Sequence, residues 1–175
     1  MDFEKIYVTN SSMVYNLALQ YVQNIEDAQE ITQDVFVAIH ESLEGFNKQA
    51  QLTTWIYRIT INKSLDFIKF RKRKKRFGFI NSLFFDDSNE LKHDVPTFDH
   101  PGVLIENREA TELIFRYING LPELQKTALI LSKIEHKPQT EIAEILNISV
   151  KAVESLIQRA KNNVLKKLDQ NEGYL

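Results

Sequence analysis

The chain has 175 residues, 43% of them hydrophobic and 26% charged, so it can bury real cores and is not globally disordered. It has no cysteine and no run of about eighteen apolar residues, which excludes disulfides, thiolate metal sites, cysteine nucleophiles and a transmembrane helix. The first residues lack a basic start followed by an apolar stretch, so no signal peptide is visible and the cytoplasm is the expected compartment.

The net charge of −2 conceals an uneven distribution. Residues 1–50 carry eight acids and two bases, whereas residues 51–76 carry nine bases and a single acid, Asp66. An acidic surface beside a concentrated basic one indicates two different partners.

Apolar residues at helical spacing predict two helices over 3–22 and 26–43. The predicted buried stripe of the second helix is Ala28, Ile31, Val35, Ile39 and Leu43. The residues predicted to lie on the outer or flanking side of this helix are Glu30, Gln33, Asp34, Phe36 and Val37. An exposed phenylalanine among carboxylates is typical of a protein-binding face, and the alternative is a solvated helix with one stray aromatic.

Gly45 marks a helix stop, residues 45–51 are predicted to form a loop, and a third helix is predicted over 53–74. Its inward residues are predicted to be Trp55, Ile56 and Ile59. It ends in six consecutive cations, Arg71 to Arg76. Cations bind phosphates, and aromatics beside cations stack on unpaired bases, so this helix indicates nucleic-acid binding. The alternative is a solvated helix end with a tryptophan in the core.

Residues 77–101 have mixed polarity and no sustained period, with Pro96 and Pro101 near the end, which predicts a linker. Four phenylalanines make it too apolar for a fully solvated tether, so we expect them to dock on another surface: Phe77, Phe79, Phe84 and Phe85.

Four further helices are predicted over 103–119, 122–134, 138–146 and 150–168. In the first of them the predicted apolar positions are Ala110, Leu113, Ile114, Tyr117 and Ile118. In the last, the predicted buried stripe is Val150, Val153, Ile157, Ala160, Val164 and Leu168.

Residues 139–158 fit a helix-turn-helix, and the alternative is a tight helical hairpin. Ala143 is small where the two helices must touch, and Asn147 tolerates a left-handed turn. Ser149 can cap the second helix, and Val153 is its apolar lock. The outward face is Lys151, Ser155, Gln158, Arg159 and Asn162, which is polar and rich in donors, as a groove-reading helix requires.

No catalytic constellation appears, so we expect no enzymatic activity and no cofactor. The histidines, His40, His93, His100 and His136, do not pair at ligand spacing, and no phosphate-cradling glycine loop is present. A weak metal site is conceivable only where His93 and His100 neighbour Asp94 and Asp99, and no resident metal is expected.

The chain resembles a bacterial sigma-70 family factor of the small extracytoplasmic-function (ECF) type. The segments EDAQEITQDVFVAI and TTWIYRITINKSLDFIKFRKR resemble region 2 of the family, and LPELQKTALIL and TEIAEILNISVKAVESLIQRAKNNVLKKL resemble region 4. The resemblance implies an all-α fold of two small helical domains joined by a flexible linker. It places a region 2-like domain at 1–76, the linker at 77–104, and a region 4-like helix-turn-helix domain at 105–175.

The resemblance also implies residue roles. The expected contacts to core RNA polymerase are Glu30, Gln33, Asp34, Phe36 and Val37. The expected contacts to the minus-ten element are Asn47, Lys48, Thr53, Thr54, Trp55, Tyr57, Arg58, Asn62, Lys63, Lys69, Arg71, Lys72 and Arg73. The expected contacts to the minus-thirty-five element are Ser149, Lys151, Ala152, Glu154, Ser155, Gln158 and Arg159. The chain departs from the family at Glu154, Leu156 and Ile61, where basic or polar residues are common, and this puts its DNA sequence preference in doubt.

These roles imply a factor that binds core RNA polymerase, directs it to specific promoters and promotes DNA melting. The implied partners are core polymerase, duplex and melted promoter DNA and an anti-sigma factor, with no membrane contact of its own. The alternative is a stand-alone helix-turn-helix transcriptional regulator, which would need no polymerase-docking face on the acidic helix. A structural or adaptor protein would need neither the basic run nor the polar recognition face.

Overall fold

The computed structural model describes residues 2–46, 51–84 and 108–172, and all regular elements in these ranges are α-helices. They are α1 (Phe3–Val22), α2 (Ile25–Ser42), α3 (Leu52–Phe84), α4 (Arg108–Asn119), α5 (Glu123–Lys133), α6 (Gln139–Leu146) and α7 (Val150–Glu172). The predicted all-α fold class is confirmed.

The chain divides into two compact units. Unit 1 comprises Met1–Glu44 and Ile59–Asp99, and unit 2 comprises Gly45–Arg58 and His100–Leu175. The first turns of α3, residues 52–58, therefore belong to unit 2, while its following residues belong to unit 1. The domain boundaries predicted at residues 76 and 105 stay a prediction.

In unit 1, the two residues between α1 and α2 explain why the first helix ends and the second begins. Gln23 adopts a left-handed conformation with φ of 50°, and its N–H donates to the Leu19 carbonyl at 2.8 Å. Asn24 then caps α2, because its side-chain oxygen accepts from the Asp27 N–H at 2.8 Å. These two residues end the first helix and begin the second where the periodicity predicted.

The predicted stripe of α2 is confirmed within the helix, because Ala28, Ile31, Val35 and Ile39 are at most 1% exposed.

The middle of α3 buries Thr60, Ile61 and Ser64, with Ile61 5% exposed. Ile61 is therefore a core residue of unit 1, which gives a packing reason for the apolar departure from the family at this position.

The helix α3 is longer than predicted. It continues to Phe84, whereas the sequence pattern predicted an end at residue 74 and a linker from 77. No proline lies between residues 52 and 84, and Phe77, Ile80 and Phe84 repeat at helical spacing. Gly78 costs only about 1 kcal/mol in a helix interior, which is too little to end it. The remaining predicted linker, residues 85–104, lies outside the described residues.

In α4 the predicted buried face is confirmed at Tyr117, 9% exposed, and Ile118, but it is displaced at other positions. Ala110 is exposed and Ile114 is 44% exposed, whereas Phe115 is only 7% exposed and Ile118 5%. Burying the larger aromatic side chain removes more apolar area from water, so Phe115 takes the inward position next to Ile118.

The predicted helix-turn-helix of α6 and α7 is confirmed in its geometry. Asn147 is left-handed with φ of 55°, and its N–H donates to the carbonyls of the preceding turn. The Ser149 Oγ accepts from the Ala152 N–H at 3.2 Å and so caps α7. Ala143 is 7% exposed and Val153 is fully buried. Val150 was predicted to point inward but is 43% exposed, because it occupies the first position of α7, before the helix meets its neighbours.

Candidate nucleic-acid and protein interfaces

The acidic face of α2 presents Glu30, Gln33 and Asp34 to solvent, together with Val37, which is 57% exposed. All four were predicted to be accessible. Carboxylates around an exposed aliphatic side chain form a surface suited to a protein partner with basic and apolar groups.

Phe36 does not have the exposure that was predicted for it. It is only 4% exposed, and its ring packs edge-on against Tyr7, at 4.7 Å between centroids, and Phe3, at 6.4 Å. Phe3 and Tyr7 are one helical turn apart on α1, so they form an aromatic wall beside α2. The aromatic that remains accessible here is Tyr7, 48% exposed, which the sequence reasoning missed although its spacing from Phe3 was a usable signal.

The first turns of α3 hold several residues predicted to contact the minus-ten element. Thr53 is exposed, whereas Thr54 is 5% exposed. Trp55 is half-buried, and its ring centroid lies 4.8 Å from that of Phe46. Trp55 therefore keeps part of its surface accessible instead of being wholly in the core.

Tyr57 is engaged inside unit 2. It is 5% exposed, its hydroxyl donates to Oε2 of Glu135 at 2.9 Å, and Lys137 Nζ lies 4.9 Å from its ring centroid. Burial raises the pKa of Tyr57 well above its usual value of 10.0, and the charge and hydrogen bond of Glu135 raise it further. The hydroxyl is therefore a fixed donor at neutral pH.

Arg58 is also engaged inside unit 2. Its Nε donates to the Ile145 carbonyl at 3.0 Å and its Nη2 to the Glu144 carbonyl at 2.5 Å. Both carbonyls lie in the last turn of α6, where carbonyl groups lack hydrogen-bond partners within the helix. A cation there supplies donors to them and interacts favourably with the negative end of the helix dipole. In this conformation the Tyr57 hydroxyl and the Arg58 guanidinium are therefore both hydrogen-bonded within unit 2.

Further along α3, Asn62 and Lys69 are exposed and Lys63 is half-buried. Lys72 to Arg76 are all exposed, which fits the predicted basic surface. Arg71 differs, because its Nη1 contacts Oδ2 of Asp27 in an ion pair and its Cζ lies 6.0 Å from the Phe67 ring centroid. Phe70 was not predicted as a surface residue, yet it is 58% exposed beside these cations. The predicted contacts Asn47 and Lys48 lie outside the described residues.

The outer face of α7 is as exposed as predicted, with Lys151, Glu154, Ser155, Gln158 and Arg159 all accessible. Ala152 and Leu156 are half-buried, so Leu156 is partly packed and partly available. Arg159 Nη2 donates to Ser155 Oγ at 2.8 Å, and Gln158 Nε2 donates to Asn162 Oδ1 at 3.3 Å. These intrahelical bonds hold the long side chains along the helix, which lowers the entropy lost when they bind.

Across the described ranges, no group of three or more histidine, aspartate or glutamate side chains is placed to hold a metal ion. His93 and His100 lie outside those ranges. None of the helices among the described residues combines the length and the hydropathy needed to cross a membrane.

Two family models match the chain. The model of sigma-70 region 2 matches residues 6–75, and the model of sigma-70 region 4 matches residues 111–164. The first match contains α2 and the basic part of α3 as far as Lys75, and the second contains the helix-turn-helix.

Curated relatives match over nearly the whole length. The chain is 28% identical over 159 residues to the ECF RNA polymerase sigma factor SigW of Bacillus subtilis (strain 168), covering 89% of this chain and 82% of that protein. It is 26% identical over 165 residues to the ECF RNA polymerase sigma-E factor of Escherichia coli (strain K12), covering 93% of this chain and 84% of that protein.

Two solved structures share the fold. CnrH in complex with the cytosolic domain of CnrY aligns with a TM-score of 0.64 at 21% identity, over 96% of this chain and 88% of that chain. The sigma factor RpoE from Bartonella quintana, in complex with the anti-sigma factor NepR, aligns with a TM-score of 0.65 at 18% identity, over 96% of this chain and 97% of that chain. Because both region models match in the family's order and the relatives match almost end to end, the chain belongs to the sigma-70 family of RNA polymerase sigma factors, and within it to the extracytoplasmic-function type.

Proposed function

We propose that this sigma factor binds core RNA polymerase, directs it to specific promoters and promotes DNA melting, with three surfaces dividing the work. The observation that carries the proposal is the presence, in one chain, of a region 2 match and a region 4 match in the family's order. A stand-alone regulator would use the helix-turn-helix without the acidic α2 face and the basic α3 segment.

Core polymerase binding is assigned to the exposed face of α2. Glu30, Gln33 and Asp34 are accessible and lie on successive turns, and Val37 adds an apolar contact. Phe36 supports this face from below, because its ring is buried against Tyr7. We assign Phe36 the role of holding the face in shape.

Reading of the minus-thirty-five element is assigned to the outer face of α7. The helix is capped by Ser149 and set by the left-handed turn at Asn147, so its first turns are presented to a major groove. Gln158 and Arg159 are the strongest candidates for base contacts, because amide and guanidinium groups make bidentate bonds to adenine and guanine. Lys151, Ser155 and Glu154 are assigned to the same surface, and Ala152 and Leu156 can approach a thymine methyl.

Minus-ten recognition and melting are assigned to the predicted loop over residues 45–51, which includes Asn47 and Lys48, and to α3. Trp55, Asn62 and Lys69 offer stacking and hydrogen-bonding groups, and Lys72 to Arg76 offer charges to the phosphates. If Tyr57 and Arg58 contact DNA, they do so by giving up their bonds to Glu135 and to the α6 carbonyls.

The remaining assignments follow from this role. The work takes place in the cytoplasm, where polymerase and DNA are, and the chain performs no catalytic step because RNA synthesis belongs to the polymerase. An anti-sigma factor is a proposed regulatory partner, since solved structures of this fold include a complex with the anti-sigma factor NepR. We propose no direct contact with a membrane.

The experiment is run-off transcription with core polymerase and a genomic promoter library, beside a gel-shift of duplex DNA. Specific transcripts that require this chain would support the proposal. Sequence-specific duplex binding without core polymerase, together with no transcripts when polymerase is added, would favour the stand-alone regulator instead. Permanganate footprinting of Asn47→Ala separates the steps, because this variant should bind closed promoter normally and open it poorly.

A further inference from the structure

Arg71 begins the run of six cations, but its surroundings differ from those of the other five. Its side chain is 35% exposed and pairs with Asp27, whereas Lys72 to Arg76 are exposed. Its guanidinium also lies 6.0 Å from the ring of Phe67, one turn earlier in α3. Arg71 is therefore directed toward the body of unit 1, whereas the five cations that follow it meet solvent all around the helix.

Asp27 is itself held in place. It lies in the first turn of α2, where its N–H donates to the capping oxygen of Asn24 at 2.8 Å. A carboxylate in the first turn of a helix interacts favourably with the helix dipole, and from this position Asp27 pairs with Arg71. Its side chain is only 17% exposed, which shields the pair from screening by salt.

This ion pair joins two helices with different assigned tasks. Asp27 is three residues before Glu30, at the start of the polymerase-binding face of α2. Arg71 immediately precedes the exposed cations of α3, and the last of them, Arg76, lies about 8 Å further along the helix axis. The direction of α3 at Arg71 therefore decides where the five cations meet the phosphates while α2 is bound to polymerase.

We propose that Asp27 and Arg71 are a positioning pair that fixes the basic segment of α3 to the polymerase-binding helix, and that Arg71 does not itself neutralise a phosphate. The inference rests on the proposed function, because it concerns how a sigma factor presents its DNA-binding helix. A phosphate contact by Arg71 would leave the shielded Asp27 carboxylate without this cation, which is unfavourable for a partly buried charge.

The test uses the full chain assembled with core polymerase, with three single variants, Asp27→Asn, Arg71→Gln and Arg73→Gln, and the double variant of the pair. Arg73 is the matched control, since it is an exposed arginine of the same run. For each holoenzyme we would measure the slope of log affinity for promoter DNA against log salt concentration. Core-polymerase affinity and the melting temperature are measured alongside, and binding is assayed well below the lowest melting temperature.

Arg73→Gln should lower the magnitude of the slope by about 0.9, the value for one lost phosphate contact. Arg71→Gln should leave the slope unchanged and weaken promoter binding by about tenfold at every salt concentration. Asp27→Asn should cause the same loss although it removes a negative charge, and the double variant should lose no more than either single one, as expected for two residues that act as one unit.

Direct phosphate binding by Arg71 predicts the opposite pattern. Arg71→Gln would then flatten the slope as Arg73→Gln does, and Asp27→Asn would strengthen DNA binding; either result overturns the inference. The inference is also overturned if the losses of promoter affinity disappear once each variant is compared at the same concentration of folded protein. The pair would then only stabilise the fold. If the wild-type chain forms no holoenzyme, the proposed function fails first.

Discussion

The two DNA-binding surfaces proposed for this chain differ in how they are built. The basic segment of α3, Lys72 to Arg76, consists of five exposed cations in succession, with charge as their shared property. The face of α7 mixes Lys151, Glu154, Gln158 and Arg159, so its net charge is small and its donors and acceptors are varied. Charge binds any phosphate backbone, whereas a defined pattern of donors and acceptors distinguishes base edges. The first surface should thus set affinity, and the second should set sequence preference.

The two surfaces also differ in what holds them. The face of α7 depends on a left-handed residue, Asn147, a cap, Ser149, and a fully buried lock, Val153. The basic segment depends on the continuation of one helix and on the Arg71–Asp27 pair. A surface that reads bases must be positioned accurately, because hydrogen bonds to base edges weaken steeply when their distance or angle is poor. A phosphate-binding surface tolerates larger displacement, so the greater number of residues that fix the position of α7 fits its task.

The largest effect is expected from a residue on neither DNA surface. Asp34→Arg should abolish binding to core polymerase, because it reverses a charge in the centre of the α2 face. Without a holoenzyme, neither DNA-binding surface can then direct polymerase to a promoter. The free energy of unfolding should change by less than about 1 kcal/mol, since Asp34 is exposed. The measurement is a pull-down with core polymerase. Glu44→Arg, the same charge change at an exposed position beyond α2, is the control and should bind normally. Wild-type affinity of Asp34→Arg would remove α2 from the polymerase interface.

The second effect concerns the reading surface alone. Arg159→Ala should weaken holoenzyme binding to its promoter by about 10- to 100-fold, equivalent to about 1–3 kcal/mol for a bidentate contact. The same variant should bind a promoter with a scrambled minus-thirty-five element as weakly as the wild type does. Lys133→Ala, which removes an exposed cation from α5, controls for the change in net charge. Equal losses of Arg159→Ala on both promoters would mean that Arg159 binds backbone and not base.

The third effect concerns Tyr57, which was predicted as a DNA contact but is buried in unit 2. Its pKa is raised above 10.0, so stability from its neutral hydroxyl is complete below pH 10 and is lost as pH rises toward the folded-state pKa. The free energy of unfolding of the wild type should therefore fall relative to that of Tyr57→Phe by about 1.4 kcal/mol per pH unit above pH 10. Denaturant unfolding between pH 9 and 11 measures this, with Tyr7→Phe as a control on an exposed tyrosine. A pH-independent difference would show that the Tyr57 hydroxyl is neither buried nor bonded to Glu135 in solution.

The sequence predicted well whatever depends on neighbours along the chain. The helix-turn-helix follows from Ala143, Asn147 and Ser149, each needed for a local reason of space, backbone conformation or capping. The buried stripe of α2 follows from its period. The failed prediction for Phe36 depends on a different helix: Phe36 is covered because Phe3 and Tyr7 lie on α1 beside it, and no pattern within α2 indicates this.

The same limit applies to the candidate sites. The basic run was apparent from composition, but the pairing of Arg71 with Asp27 joins residues 44 positions apart and needed the tertiary structure. The sequence predicted that Tyr57 and Arg58 lie at the exposed start of an aromatic and basic helix. Tyr57 is instead bonded to Glu135 in the α5–α6 connection, and Arg58 is bonded to α6. A one-helix pattern predicts which side chains can be polar and accessible, while the partner of each side chain is set by packing between helices.

The central claim, that one surface supplies charge and the other supplies sequence preference, is tested most directly by a salt titration of promoter binding by three holoenzymes. These contain the wild type, the double variant Lys72→Gln with Arg73→Gln, and Arg159→Ala, each assayed on the promoter and on its scrambled minus-thirty-five version. The double variant should flatten the salt dependence by about 0.9 per lost phosphate contact and keep the preference for the promoter. Arg159→Ala should keep most of the salt dependence and lose the preference by about tenfold or more. Loss of preference in the double variant, with an unchanged salt slope, would contradict the account.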